Sequence, residues 1–336
     1  MRFPRCMAFV PIAAMLLSGC GGGAGGGPAP KPPTPTPTSV YTAPAAESLS
    51  VADVEQVLAQ AVAEAKARGT PAVIAVTDRI GNVLAVYQMN GAPASLVIRP
   101  GPGGPNNQFD LQGISLPSNL VSIPSPPASG MGPPTSVPGS PAALAAIAKA
   151  ITGAYLSSSG NAFSSRTASE IVQDTFPPSP QAVGLGSGPL FGVQFSSLPC
   201  SDLQVPIYLG LQGLAGTIGP KPSPLGLAGD PGGFPLYKNG VVVGGIGVKT
   251  TTDYGFDPNI NQTNPTQESE EAVALAGTVG FDAPTSIRAD QITVNGISFI
   301  YSNATLASLK STPASAPPFS SLTAADGALE AVAVFY

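Results

Sequence analysis

The chain has 336 residues, of which only 10% are charged; it contains 40 glycines and 39 prolines but no His or Trp. Without histidine, Ser-His-Asp and Cys-His catalysis, His-ligated zinc and bis-His haem are excluded, and acid–base chemistry would fall to carboxylates, Tyr or Lys. The formal net charge of −5 and the lack of any Lys/Arg patch argue against a nucleic-acid partner.

In chain order, Arg2 and Arg5 precede an apolar run, Met7–Leu17, that closes on Leu17-Ser18-Gly19-Cys20. The run is too short to span a bilayer, which takes about 20 apolar residues. A charged start, an apolar stretch and small residues ending on cysteine form the pattern of a lipoprotein signal; the alternative is a core helix that ends on a cysteine by chance. The pattern predicts a signal peptide over 1–19 and Cys20 as the lipid-modified first residue of the mature chain. The protein is then anchored in the cell envelope through lipid alone. Gly21 after the cysteine, where Asp would mark inner-membrane retention, favours the outer membrane, facing the periplasm or outside. Loss of Arg2 and Arg5 leaves 12 basic against 19 acidic residues. Cys6 leaves with the signal and Cys20 is acylated, so Cys200 remains as a lone thiol with no intramolecular disulfide available to it.

Residues 20–46 form a Gly/Pro-rich linker, Gly21–Gly27 flexible and the Thr-Pro repeats extended. Ser50 with Asp53 caps a helix to Arg68, with Val51, Val54, Leu58, Val62 and Ala65 at helical spacing. Ala72–Val76 and Val83–Met89 read as strands joined through Asp78–Asn82. Residues 91–141 lose periodicity and read as a long surface excursion. Helices follow at Ala142–Leu156 and Thr167–Thr175, then a second Gly/Pro-rich excursion at 184–233. Phe234–Tyr237, Asn239-Gly240 and Val241–Val248 form a hairpin with the preferred type I′ pair. Glu268–Val279 reads as an acid-started helix, Gln291–Tyr301 as two short strands around Asn295-Gly296, and Leu329–Tyr336 as an edge strand.

Three stretches carry a family resemblance: the opening helix and hairpin from Ser48 to Ala92, the central pair from Ala145 to Val172, and Gly232–Val248 with Glu270–Pro284. In this order they resemble the GlcG/HbpS family, as a secreted proteobacterial lipoprotein member. The resemblance implies an α/β (α+β) fold, an antiparallel sheet of about five strands flanked by helices, with function residing in sites grafted onto it. The family-like domain would run over 47–284, with insertions near 91–141 and 184–233 and a C-terminal β extension at 285–336. The resemblance also implies a homo-oligomer and a small-molecule ligand, haem above all, and it supplies no catalytic residues. Lys149, Thr152, Arg166 and Thr167 match its central positions as ligand-binding residues. Arg166 or Lys149 would pair with a ligand carboxylate, or else stand on a solvated helix face.

Haem needs an axial ligand, and without His the candidates are Cys200, Met89, Met131, Tyr155, Tyr237 and Tyr254. Cys200 follows Pro199 in Leu198-Pro199-Cys200-Ser201-Asp202 and reads as a thiolate ligand or as a small buried hydrophobe. Asp257, Asn259, Asn261 and Glu268 occupy positions 1, 3, 5 and 12 of a calcium loop. Gln262 and Pro265 depart from that pattern, so the segment equally reads as a turn leading into an acid-capped helix. Gly184-x-Gly186-x-Gly188 runs into Pro189 and opens no helix for a pyrophosphate, whereas Gly244-Gly245-x-Gly247 sits inside a strand and predicts close backbone approach. The expected function is a lipid-anchored, non-catalytic haem carrier, scavenger or sensor. The alternative is a non-catalytic envelope interaction module, stabilised by calcium.

Overall fold

A computed structural model of the protein describes residues 44–99, 115–116, 118, 121–125, 135–172, 225–255, 257 and 265–330. Ser50 begins α1 (Val51–Arg68) through a complete capping box with Asp53, and Gly69 in the left-handed region ends it. β1 (Val73–Asp78) and β2 (Val83–Met89) form a hairpin. Its turn is held by Asp78, whose Oδ1 accepts from the Ile80 and Asn82 N–H groups.

The stretch expected to be a featureless surface excursion contains β3 (Leu96–Ile98), β4 (Ser115–Leu116), β5 (Val121–Ser125) and β6 (Thr135–Gly139). Leu96, Ile98 and Leu116 are fully buried. The apolar triplet Leu96-Val97-Ile98 alternates inside and outside, but it is too short to stand out as a period among Pro and Gly.

α2 (Pro141–Tyr155) starts on the Ser140 cap with Pro at its first position, and α3 (Ser165–Ile171) starts on a Ser164/Thr167 box. β7 (Gly233–Lys238) and β8 (Val241–Lys249) follow, turning at Asn239 and Gly240 with φ of 50° and 78°, as a type I′ turn requires. The remaining elements are β9 (Asp253–Tyr254), α4 (Pro265–Gly277), β10 (Thr293–Val294), β11 (Ile297–Ser298) and β12 (Gly327–Leu329). The C-terminal segment expected to be β is built mostly of 3₁₀ turns, with β10 and β11 paired around Asn295-Gly296. An edge strand is present at β12, which reaches Leu329, and residues 331–336 of the expected strand lie outside the described residues.

The fold is α/β. Five antiparallel strands in the order β12-β2-β1-β8-β7 make the main sheet, and β4-β3-β9 a smaller one. Alternate residues of β1 face opposite layers, which sorts the core by a period of two. Ile74 and Val76 join α1 and α4 on one face, while Val73 and Ala75 join α2 on the other.

α2 is nearly all small and apolar, and every residue from Pro141 to Ala154 is buried. It lies so close to β8 that a Cβ on Gly245 would meet Ala150 O at 2.0 Å, and one on Gly247 would meet Ala146 O at 2.0 Å. The glycine run is therefore a helix seat, as its position inside a strand predicts. Gly247→Ala should lower stability by about 1–3 kcal/mol through overpacking. Gly160→Ala, where a Cβ meets nothing within 4 Å, should leave the denaturant midpoint unchanged. Equal midpoints for the two variants would refute the seat.

Candidate functional site

Towards the far end of α2, Thr152 Oγ1 donates to Ala148 O (2.7 Å) and accepts from the Ala228 N–H (2.7 Å), fixing the 225–232 loop against the helix. One turn back, Lys149 is fully buried. Its ammonium donates to Pro231 O and Val248 O, both at 2.8 Å, and pairs with Asp230 and Glu270 at 2.5 Å each. Lys249, at the end of β8, pairs with the same two carboxylates at 3.0 Å. Thr250 N–H donates to Glu270 Oε1 and Gly255 N–H to Asp230 Oδ1. Burial would push the Asp230 carboxyl up, but Lys149 and Lys249 hold it below its ordinary value. Burial likewise works against the Lys249 charge, yet Asp230 and Glu270 raise its pKa. Two cations and two anions thus form a neutral, hydrogen-bonded quartet in the interior.

A second cluster involves α3 and the next residue of α4. Arg166 forks onto Glu271, Nε to Oε1 at 2.7 Å and Nη2 to Oε2 at 2.9 Å, and its Nη1 reaches Asp257 at 3.1 Å. Burial disfavours the guanidinium, and Glu271 with Asp257 more than restores it. Burial raises Glu271 in spite of Arg166. Asp257 is pinned further by its backbone, whose N–H donates to Ser169 Oγ at 2.6 Å. Thr167 completes the α3 cap, and its hydroxyl donates to Ile300 O at 3.0 Å. Glu170 accepts from Ile300 N–H, but burial pushes its pKa up to about 7 against the pull of that bond and of Arg166.

Lys149 and Thr152 therefore share one stretch of α2, and Arg166 meets Asp257, a residue drawn from the calcium pattern. Neither Lys149 nor Arg166 stands on a solvated face, because each charge is taken up by internal carboxylates. Glu268 lies in the first turn of α4. Cys20, Met131, Cys200, Asn259 and Asn261 lie outside the described residues. Among the described residues no group of three His, Cys, Asp or Glu side chains could hold a metal ion, so the calcium pattern gains no support.

The axial candidates among the described residues already have places in the fold. Met89 is a core residue, Tyr155 donates to Ile80 O, Tyr237 donates to Ser158 O, and Tyr254 lies buried with its ring 5.9 Å from Lys249 Nζ. Met89, Tyr237 and Tyr254 are thus enclosed by the fold, the exposed Tyr155 spends its O–H on a backbone carbonyl, and Lys149 and Arg166 already have carboxylate partners. The two remaining axial candidates, Met131 and Cys200, lie outside the described residues.

Residues 49–97, which comprise α1, the β1–β2 hairpin and the start of β3, match the family model described as "Haem degrading protein HbpS-like". Over this segment the chain resembles that family. Solved structures similar to it include the Klebsiella pneumoniae protein ORFY (14% identity over 73% of this chain and 97% of that one, TM-score 0.34). A double mutant of Streptomyces reticuli HbpS gives 16% identity over 74% and 99%, with a TM-score of 0.34. The structure of a PduOC:heme complex gives 14% identity over 71% and 99%, with a TM-score of 0.33. No curated protein matches the sequence. Similarity of this order leaves the chemistry to be argued from the chain's own residues.

Both clusters lie beyond the HbpS-like segment, and sequence reasoning missed Asp230, Lys249, Glu270 and Glu271 as members. The signal that could have found them is Lys149 itself. A lysine in a helix that is otherwise apolar on every side must be buried and paired.

Lys149→Met should cost about 3–5 kcal/mol, because it leaves a carboxylate uncompensated. Adding Glu270→Gln restores charge balance, so the double variant should fall short of the two single losses summed, as a denaturation cycle would measure. Glu170, raised from 4.5 to about 7, binds its proton more tightly when folded. Stability should therefore fall as pH rises from about 4.5 to about 7, and Glu170→Gln should flatten that part of the profile. An unchanged slope would rule out the Glu170 contribution.

Proposed function

We propose that the chain is a lipid-anchored, extracytoplasmic protein that binds a small planar or carboxylate-bearing ligand, haem in the first place, as a carrier, scavenger or sensor. The observation that carries this reading is the match of residues 49–97 to a family model whose description names haem. The chain has no histidine, and its buried Lys149, Arg166, Asp230, Glu270 and Glu271 are bound up with one another, so we read the role as binding without catalysis.

Cys200 is the residue we assign to the haem iron, since thiolate is a known axial ligand type and Pro199 stands beside it. Bound haem would supply an iron able to take an axial thiolate, and this chain's part would be to hold and shield it. The lipoprotein reading rests on Leu17–Cys20. With it come a signal peptide over 1–19, a tether over 20–46 and a family-like domain over 47–284 extended by 285–336. A homo-oligomer follows from the family resemblance.

A second reading, a non-catalytic interaction module of the envelope, is favoured by one observation: Lys149 and Arg166 already have carboxylate partners. Haem titration separates the two. Protein lacking residues 1–20 should develop a Soret band that shifts in Cys200→Ser. A band no stronger than that of a denatured control would sink the haem reading and leave the module. Cys20→Ala should move the full-length protein from the membrane to the soluble fraction on cell fractionation; persistent membrane association would remove the lipid anchor.

A further inference from the structure

The Lys149 ammonium has three N–H groups and four oxygens around it. Pro231 O, Val248 O and Glu270 Oε2 accept the three, at 2.8, 2.8 and 2.5 Å. The fourth oxygen, Asp230 Oδ2, lies at 2.5 Å with no further N–H to meet it. A C=O bond is about 1.23 Å long, so the nitrogen is at most about 3.7 Å from the Asp230 carboxyl carbon. That is close to the distance, about 3–3.5 Å, at which bound groups are poised to react. The fold shuts the pair away from solvent: the Lys149 side chain is 0% and the Asp230 side chain 1% exposed. Gly232 keeps the loop tight over it, since a Cβ there would come within 3.3 Å of Lys149 Nζ.

The neighbours of this pair supply each role that condensation to an amide requires. Glu270 Oε2, which accepts from Lys149, takes up a proton and frees the amine as a nucleophile. Lys249 Nζ donates to Asp230 Oδ2 and to Glu270 Oε1, both at 3.0 Å, so it can protonate the departing oxygen and recover a proton from Glu270. Gly255 N–H donates to Asp230 Oδ1 at 3.1 Å. That oxygen carries the negative charge of the tetrahedral intermediate and remains as the amide carbonyl. Glu270 serves as the base rather than the acyl partner, because its oxygens are already held by Lys149, Lys249 and the Thr250 N–H.

We propose that Lys149 and Asp230 join in an intramolecular isopeptide bond, a covalent clasp between α2 and the 225–232 loop that the folded chain forms by itself. Lys149 Nζ forms a bond to Asp230 Cγ, and the Cγ–Oδ2 bond breaks. Two protons leave the Lys149 nitrogen, one directly to Oδ2 and one by way of Glu270 and Lys249, and Oδ2 departs as water. No oxidant, reductant or other reagent enters. One cation and one anion disappear together, so Lys249 and Glu270 stay behind as a balanced pair. The clasp does not depend on the haem reading.

The test is mass spectrometry of the purified full-length chain, unfolded and digested with trypsin. The peptide containing Lys149 should be joined to the one containing Asp230 with the loss of one water, about 18 Da, and trypsin should fail to cut after Lys149. Asp230→Ala should return cleavage after Lys149 and an unmodified mass. Glu270→Gln, which lacks the proton acceptor, should lower the linked fraction about tenfold or more. If either variant fails to fold, the wild-type digest decides alone. Cleavage after Lys149 in the wild-type chain, with both peptides at their unmodified masses, would overturn the proposal. A link from Lys149 to Glu270, or from Lys249 to Asp230, would overturn it as well.

Discussion

The interior of this protein is organised by the quartet of Lys149, Lys249, Asp230 and Glu270, which ties together α2, β8, the 225–232 loop and α4. An alanine-rich helix seated on a glycine-lined strand packs closely but has little shape to stop it sliding along its axis. The quartet supplies that stop. Displacing α2 by one turn, about 5.4 Å, would strand charges where the low dielectric makes them costly. Close packing and buried charge are therefore complementary: the glycines bring backbones together, and the ions fix the register in which they meet.

The same chemistry recurs where the backbone is irregular. Glu64, fully buried on α1, accepts from the Lys310 and Ser311 N–H groups. Glu170 accepts from Ile300 N–H, and Glu271 Oε1 lies 3.4 Å from Asn303 N. Segments of 3₁₀ turn cannot satisfy their own amides as a sheet ladder does, so buried carboxylates on the helices take the place of a neighbouring strand. Among the described residues these buried acidic side chains serve as backbone partners and counter-ions, which accounts for Glu170, Asp257, Glu270 and Glu271 around α3 and α4.

Local chemistry was legible in the sequence wherever the decisive partner lay within a few residues. The Ser50–Asp53 box, the Asn239-Gly240 and Asn295-Gly296 turns and the Gly244–Gly247 seat all depend on backbone conformation or on the lack of a side chain at one point. The quartet was not legible, because Lys149 and Glu270 are separated by 121 positions and nothing in either neighbourhood names the other. Lys149 and Arg166 stood out as unusual, but family resemblance pointed them towards a ligand. The distant carboxylates that claim them are visible only once the chain is folded. The C-terminal extension defeated strand-based reading for a related reason: its order comes from Glu64, Glu170 and Glu271 rather than from a period of its own.

The extension also bears on the order in which the fold can close. Glu64 waits for Lys310, 246 positions later, and β2 remains an unpaired edge until Gly327–Leu329 arrives to cover Tyr87–Met89. Contacts this distant in sequence make for slow, late consolidation. During synthesis the first helix and hairpin emerge early yet stay incomplete until the chain is nearly finished. Over that interval β2 presents free amides and carbonyls that another chain could pair with, a hazard that ends when the last short strand docks.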